Sequence, residues 1–387
     1  MVQSLKYLSS GGGELSGRQF NPVRLTFART RRGLKKSDLA RQIDVTPRSV
    51  TGYENGEFPP EPERLSQIAL FLKFPTDFFF EEDPVEELDP DCVSFRAMTK
   101  MGSTLRNIAL GAGAIATQLN SWIESKFVLP PSDLPSLGTD VGPEAAAQVL
   151  RQHWDLGEQP IRNMVHLLEA KGVRVYSLSI EAKEVDAFSM WWNGTPFVFL
   201  NTHKSAEHSR FDAAHELGHL VMHRHGQPHG QEAEKEAQAF ASALLMPVRS
   251  ILASQLRFPT VEVLVKAKRQ WAVSVAALNY RLHTLGLTSE WINRSLCIQI
   301  AKAGYRTSEP NTIARETSQI LEKVFSALRE EGIGKSDIAR ELHLSTYEID
   351  ELTYGLLRVG AVPDRIEAYP GTITRQNATR PKLSIVK

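Results

Sequence analysis

"KKSDLARQIDVTPRSVTGYENG", Lys35 to Gly56, decides the reading of the N-terminal region. Leu39, Ala40 and Ile43 recur at helical spacing, Val45 sits in a turn, and Val50 opens the buried face of a second helix. Ala40 is small where two helices would cross closely. Thr46 followed by Pro47 is a helix start, a capping hydroxyl and then a residue whose φ is already helical. Two helices joined by so short a turn predict a helix-turn-helix arrangement. Around it, residues 22–50 carry Arg24, Arg29, Arg31, Arg32, Lys35, Lys36, Arg41 and Arg48 against only Asp38 and Asp44, the footprint of a phosphate-binding face.

The whole of residues 22–80 resembles the Xre (Cro-type) repressor family. The resemblance lies in Leu39–Ala40, Val45–Thr46, Val50 and Tyr53–Gly56, and in the later helix pattern of Leu65, Ile68, Ala69, Phe71 and Leu72. It implies a five-helix DNA-binding domain over residues 21–80 that docks its second motif helix in the major groove. Arg48, Ser49 and Thr51 near the start of that helix, and Lys36 at the start of the preceding one, are then the base or phosphate contacts. A double-stranded operator and a homodimer on paired half-sites follow from the same resemblance. Lys35 departs from the family, which commonly has a Ser or Thr cap there; it weakens the helix start but adds a phosphate-seeking charge.

The motif recurs. "GKSDIARELHLSTYEIDELTYG", residues 334–355, keeps the apolar frame at Ile338, Ala339, Leu342, Leu344, Ile349 and Leu352. Its second helix, however, carries Glu348, Asp350 and Glu351, which phosphates would repel. This copy is read as a scaffold for packing or partner contact, not for DNA.

Between the two copies lies a different kind of chemistry. In "FDAAHELGHLVMHRH", Phe211 to His225, His215 and His219 stand four apart and share one helix face, where two neutral imidazoles can hold one metal ion. Glu216 lies one residue round the helix, placed to act as general base on a water at the metal's open position. Ala213, Ala214, Leu217, Leu220 and Val221 bury the helix and leave the histidines at its edge. A third ligand is required. His225 fits a longer zinc pattern only if glycine stands at position 222, which is Met222, and His223 would drift round the helix. A glutamate on the following helix remains, as in thermolysin-like sites, and periodicity does not separate Glu234 from Glu236.

"RFDAAHELGHLVMH" (210–223) followed by "EAEKEAQAFASALLMP" (232–247) resembles the ImmA/IrrE metallopeptidase family, over about residues 145–285. The helix pattern of Trp271, Val273, Ser274, Ala277, Leu278, Arg281 and Leu282 belongs to the resemblance, and "SFRAM" at 94–98 recurs in chains that join such a domain to an Xre module. The resemblance implies a gluzincin-like zinc peptidase, with manganese as the alternative metal, and makes Glu236 the last ligand beside His215 and His219. Glu216 is the catalytic residue. It also implies a protein substrate: a partner repressor, or this chain's own acidic linker, cut in response to a signal. Two other readings are a regulator that senses metal or ligand without proteolysis, and a component of a toxin–antitoxin operon.

The remaining sequence sets these pieces in order. At 387 residues, 42% hydrophobic and with zero net charge, the chain has room for two or three domains and offers no global case for nucleic-acid or membrane binding. Cys92 and Cys297 are in no metal-binding spacing, and neither a signal-peptide core nor a membrane-length apolar run is evident, so a cytoplasmic protein is expected. The predicted fold class is mainly α with a small β-sheet (α+β). Residues 1–20 are expected to be flexible, 21–80 to form the helix-turn-helix domain, and 81–142 an acidic linker and connecting helix. Eight acids between residues 77 and 91 mark that linker. The peptidase-like domain is placed at 143–285, a C-terminal helical domain with the second motif copy at 286–364, and a flexible tail at 365–387. Strands are expected at 173–178 and at 187–192 and 196–200, the last two joined by an Asn193–Gly194 hairpin. Strand 196–200 is the expected dock for an extended substrate.

Overall fold

A computed structural model describes residues 18–82, 102–178, 186–224 and 230–357. The expectations for residues 1–17, the acidic stretch from 83 to 91, "SFRAM" at 94–98, Cys92, His225 and the tail from 365 lie outside them. Two units separate, Met1–Glu86 and Glu87–Lys387.

The first unit has α1 (Pro22–Arg31), α2 (Lys36–Gln42), α3 (Pro47–Asn55), α4 (Pro62–Leu72) and a 3-10 turn at Thr76–Phe80, the five helical elements anticipated. Thr46 Oγ1 accepts the Ser49 N–H at 3.1 Å and so starts α3. Lys35 offers no side-chain cap; the Asp38 carboxylate accepts the Lys35 N–H at 3.0 Å instead. Leu25, Leu39, Val50, Ile68, Leu72 and Phe78 form the core.

In the second unit, α5 (Ser103–Lys126), α6 (Pro143–His153) and α7 (Met164–Ala170) precede β1 (Arg174–Ser177), β2 (Ala187–Trp192) and β3 (Thr195–Leu200). The sheet order is β1-β3-β2, with β3 parallel to β1 and antiparallel to β2. Asn193 and Gly194 make the hairpin turn with φ of 47° and 77°. Helix α8 (Ala206–Met222) packs on β2 and β3, and α9 (Gln231–Leu245) packs across α8 and α6. Then come α10 (Val248–Ala253), α11 (Val261–Ala267), α12 (Val275–Thr284), α13 (Glu290–Lys302), α14 (Gln319–Glu330), α15 (Lys335–Glu341) and α16 (Thr346–Thr353). The chain is an α+β protein dominated by helices.

The strand order corrects one expectation. β3 is central and hydrogen-bonded on both sides, so it has no edge left for a substrate strand. Among the described residues β1 and β2 are the outer strands, and β2 packs against α8.

The motif copies share backbone geometry as well as sequence, and the likeness reaches back one helix further than residues 334–355. Gly33 and Gly332 (φ 67° and 76°), Asp44 and His343 (53° and 52°), and Gly56 and Gly355 (72° and 67°) occupy matched turns. Asp44 and His343 are not glycine, so a left-handed turn at both is a specific coincidence of form. Yet α16 packs on β1 and α5, and Glu348, the counterpart of Ser49, is fully covered. Trp122 Nε1 on α5 donates to the Glu341 carboxylate at 2.7 Å. Glu169 on α7 accepts the Gln319 and Ile320 N–H groups at the start of α14, and burial pushes its carboxyl up to about 7. The helix that would face DNA in the first copy faces protein in the second.

Candidate functional site

Helices α8 and α9 cross closely because of one residue. A Cβ at Gly218 would stand 3.0 Å from the Phe240 ring and 3.3 Å from the Ala237 Cα. With no side chain there, α9 approaches near enough for its carboxylates to reach the histidines of α8. Gly218→Val is expected to wedge the helices apart, destabilise the unit by about 1–3 kcal/mol, and weaken zinc binding. Thermal unfolding and zinc titration of the variant check this; wild-type zinc affinity would contradict it.

Three donor side chains converge at the crossing. His215 Nε2 and His219 Nε2 are 3.1 Å apart. Glu234 Oε2 lies 3.2 Å from the first and Glu234 Oε1 3.4 Å from the second. Zinc–ligand bonds of about 2.0–2.1 Å place neighbouring donors of a tetrahedron about 3.3 Å apart. The donor set suits zinc, and one donor atom from each residue lies within 4.8 Å of the others. His215 is held toward its charged form: burial opposes protonation, but the hydrogen bond to Glu234 and the charges of Glu216, Glu234 and Asp212 outweigh it. Burial alone would raise the Glu234 carboxyl, yet hydrogen bonds from both histidines hold it well below the usual carboxylate range. The carboxylate and the imidazoles thus face one another as charged partners, a perturbation of the kind that clusters at functional sites.

The carboxylate that meets the two imidazoles is that of Glu234. Glu236, expected as the last ligand, instead lies 2.9 Å from His223 Nε2. The reason is positional: residues two apart on α9 point to different stations along α8, and Glu234 sits opposite the HELGH turn while Glu236 sits opposite the helix end. His223 is turned to the His219 ring, with the two Nδ1 atoms 2.9 Å apart. Burial and the neighbouring His219 charge lower its pKa, against the pull of Glu236.

Glu216 is buried at the same helix and stands outside the donor cluster. Ser189 Oγ, on β2, donates to Glu216 Oε2 at 2.7 Å. Sequence reading did not find Ser189, though a lone hydroxyl in "AFSMWW", a strand otherwise apolar, was the available signal. Just beyond, Trp191 and Trp192 are half-buried at the end of β2, and the Arg224 guanidinium lies over the Trp191 ring at 3.8 Å.

In the first unit the basic footprint proves largely internal. Arg24, Arg29 and Arg31 are buried. Arg24 lies over the Phe78 ring, and Arg29 pairs with Glu54 at 2.6 Å. Arg32 donates to the Leu72 carbonyl and lies over the Phe74 ring. Lys36 stands 3.3 Å from Glu54. The exposed cations of the α2–α3 surface are Lys35, Arg41 and Arg48. Ser49 Oγ pairs with Thr46 Oγ1 at 2.9 Å, and Thr51 Oγ1 donates to the Pro47 carbonyl at 3.0 Å. Arg48→Ala is expected to weaken duplex binding and reduce the salt slope by about one. Fluorescence anisotropy against duplex DNA over a salt series measures it, and an unchanged slope would place Arg48 away from phosphate.

Comparison with protein families agrees with this division. Residues 27–79 match the helix-turn-helix family, and residues 168–283 match the IrrE N-terminal-like domain, a peptidase family. The chain joins a DNA-binding helix-turn-helix domain to a peptidase domain of the IrrE/ImmA type. No curated protein matches the chain. Among the described residues, no helix is long and apolar enough to cross a membrane.

Proposed function

We propose, for a chain that joins a helix-turn-helix domain to an IrrE-type peptidase domain, that it is a DNA-binding transcriptional regulator carrying a zinc-dependent endopeptidase. The protease hydrolyses a peptide bond in a partner repressor, or in this chain itself, in response to a signal. The observation that carries the reading is the convergence of His215, His219 and Glu234 donor atoms beside the buried Glu216 carboxylate.

His215 Nε2, His219 Nε2 and a Glu234 oxygen would hold the ion. Zinc bound there supplies Lewis acidity, which favours deprotonation of water and polarises a peptide carbonyl. The chain's own residues do the rest. Ser189 fixes Glu216 Oε2 by donating to it, and Oε1 takes the proton of the attacking water, then delivers it to the departing amine. An extended peptide adds to β2, an outer strand of the sheet among the described residues, where Trp191 and Trp192 offer apolar contact to its side chains. Lys36, Arg48, Ser49 and Thr51, with the exposed Arg41 beside them, meet operator DNA in the first unit, and a homodimer spans its half-sites. The protein works in the cytoplasm, where DNA and repressor are both at hand.

A whole-cell survey of new protein N-termini tests this. Cells making the wild type are compared with cells making Glu216→Gln, under several stresses. The expected result is a small set of cleavages found only with the wild type, within a repressor or within this chain. Identical sets under every condition would reject proteolysis and leave a regulator that binds metal without chemistry.

A further inference from the structure

Helix α8 carries a third histidine in line with the two expected ligands, and it is not idle. His215, His219 and His223 recur at four-residue intervals, so their rings stack along one face, with centroids 4.9 Å and 5.0 Å apart. His219 turns its Nε2 to His215 and Glu234 and its Nδ1 to His223 Nδ1. His223 in turn presents its Nε2 to Glu236 Oε2. The side chains of His219, His223 and Glu236 are 6%, 7% and 19% exposed, so water competes little for these bonds.

The direction of the chain follows from its end. An ionised carboxylate only accepts, so His223 Nε2 is the donor to Glu236. A neutral His223 then has its remaining nitrogen, Nδ1, as an acceptor, and the atom facing it, His219 Nδ1, must donate. With a metal ion held at Nε2 in place of the proton which that nitrogen shares with Glu234, His219 carries its remaining proton on Nδ1, the atom that faces His223.

We propose that His223 and Glu236 are positioning residues, a carboxylate–imidazole relay that selects the Nδ1–H form of His219 and orients its Nε2 toward the zinc position. The inference rests on the metal-site reading given under Proposed function. Ligand histidines generally donate their second N–H to a carboxylate or carbonyl directly; here an intervening imidazole spans the gap, because Glu236 lies opposite His223 and not opposite His219. The relay also accounts for Glu236 without placing it on the metal.

The test is a double-variant cycle on zinc affinity, read with the intact chain by competition against a chromophoric chelator. Glu236→Gln keeps the shape but loses the charge, and should weaken Zn2+ binding about tenfold, with His223→Phe at about 10–100-fold. In the His223→Phe background, Glu236→Gln should change affinity by less than about twofold, because two members of one relay are not additive. The visible spectrum of Co2+-loaded protein should shift in both single variants, since the ligand field of His219 changes. Equal effects of Glu236→Gln in the two backgrounds, or no effect in the wild type, would overturn the relay while leaving the metal site standing. Should His223→Phe fail to fold, the Glu236→Gln comparison on its own still decides, through affinity and the Co2+ spectrum. Wild type that takes up no Zn2+ would instead bring down the metal-site reading itself, and the relay with it.

Discussion

Glu216→Gln is expected to slow peptide-bond hydrolysis by about 10²–10⁴-fold, the range typical of a lost general base, with zinc content unchanged. The substitution is close to isosteric, and the Ser189 hydroxyl still finds an oxygen to donate to, so position survives while proton acceptance does not. The loss should fall on kcat more than on KM, because the interaction removed is with a proton in transit and not with the bound peptide. Ser189→Ala should give a smaller loss of the same kind, through a carboxylate that is no longer held. The measurement is the rate on the substrate found in cells, with zinc quantified in the same preparation. Undiminished turnover by Glu216→Gln would remove Glu216 from the chemistry.

Glu234→Ala is expected to weaken zinc binding by more than about 100-fold, since even outer hydrogen-bond partners of a ligand cost 10–100-fold. Two of three protein donors would remain, and His215 and His219 would face each other without the carboxylate that now meets both. Stability supplies a second readout. Zinc at about 1,000 times its dissociation constant adds roughly 4 kcal/mol to a folded state that alone binds it. A chelator should therefore lower the melting temperature of the wild type markedly and that of Glu234→Ala scarcely at all. Glu236→Ala should remain chelator-sensitive. The reverse pattern would restore Glu236 as the ligand.

The parts of the site that were legible in sequence are those fixed within one helix. His215, Glu216 and His219 share α8, and a four-residue interval places two imidazoles together whatever else the fold does. The choice between Glu234 and Glu236 depends on where α9 crosses α8, which Gly218, Ala237 and Phe240 set together. No property of either helix alone reveals that crossing. Strand order is equally non-local: the hairpin at Asn193–Gly194 was readable, but not that β1 would flank β3 and leave β3 central among the described strands. Charge counting misled for a related reason. Arg24, Arg29 and Arg32 look like a phosphate face in sequence, and only the packing of Phe74, Phe78 and Glu54 shows them turned inward. In the second motif copy, the carboxylates forecast a helix unfit for DNA, and the structure shows what occupies that helix: β1 and α5.

The most direct measurement is the position of zinc in crystals of the zinc-loaded chain, located by anomalous scattering at the zinc edge. A single strong peak at the crossing of α8 and α9, bonded to His215 Nε2, His219 Nε2 and the Glu234 carboxylate, with Glu236 on His223, is the predicted result. A peak bonded to Glu236, or no peak at that crossing, would contradict it.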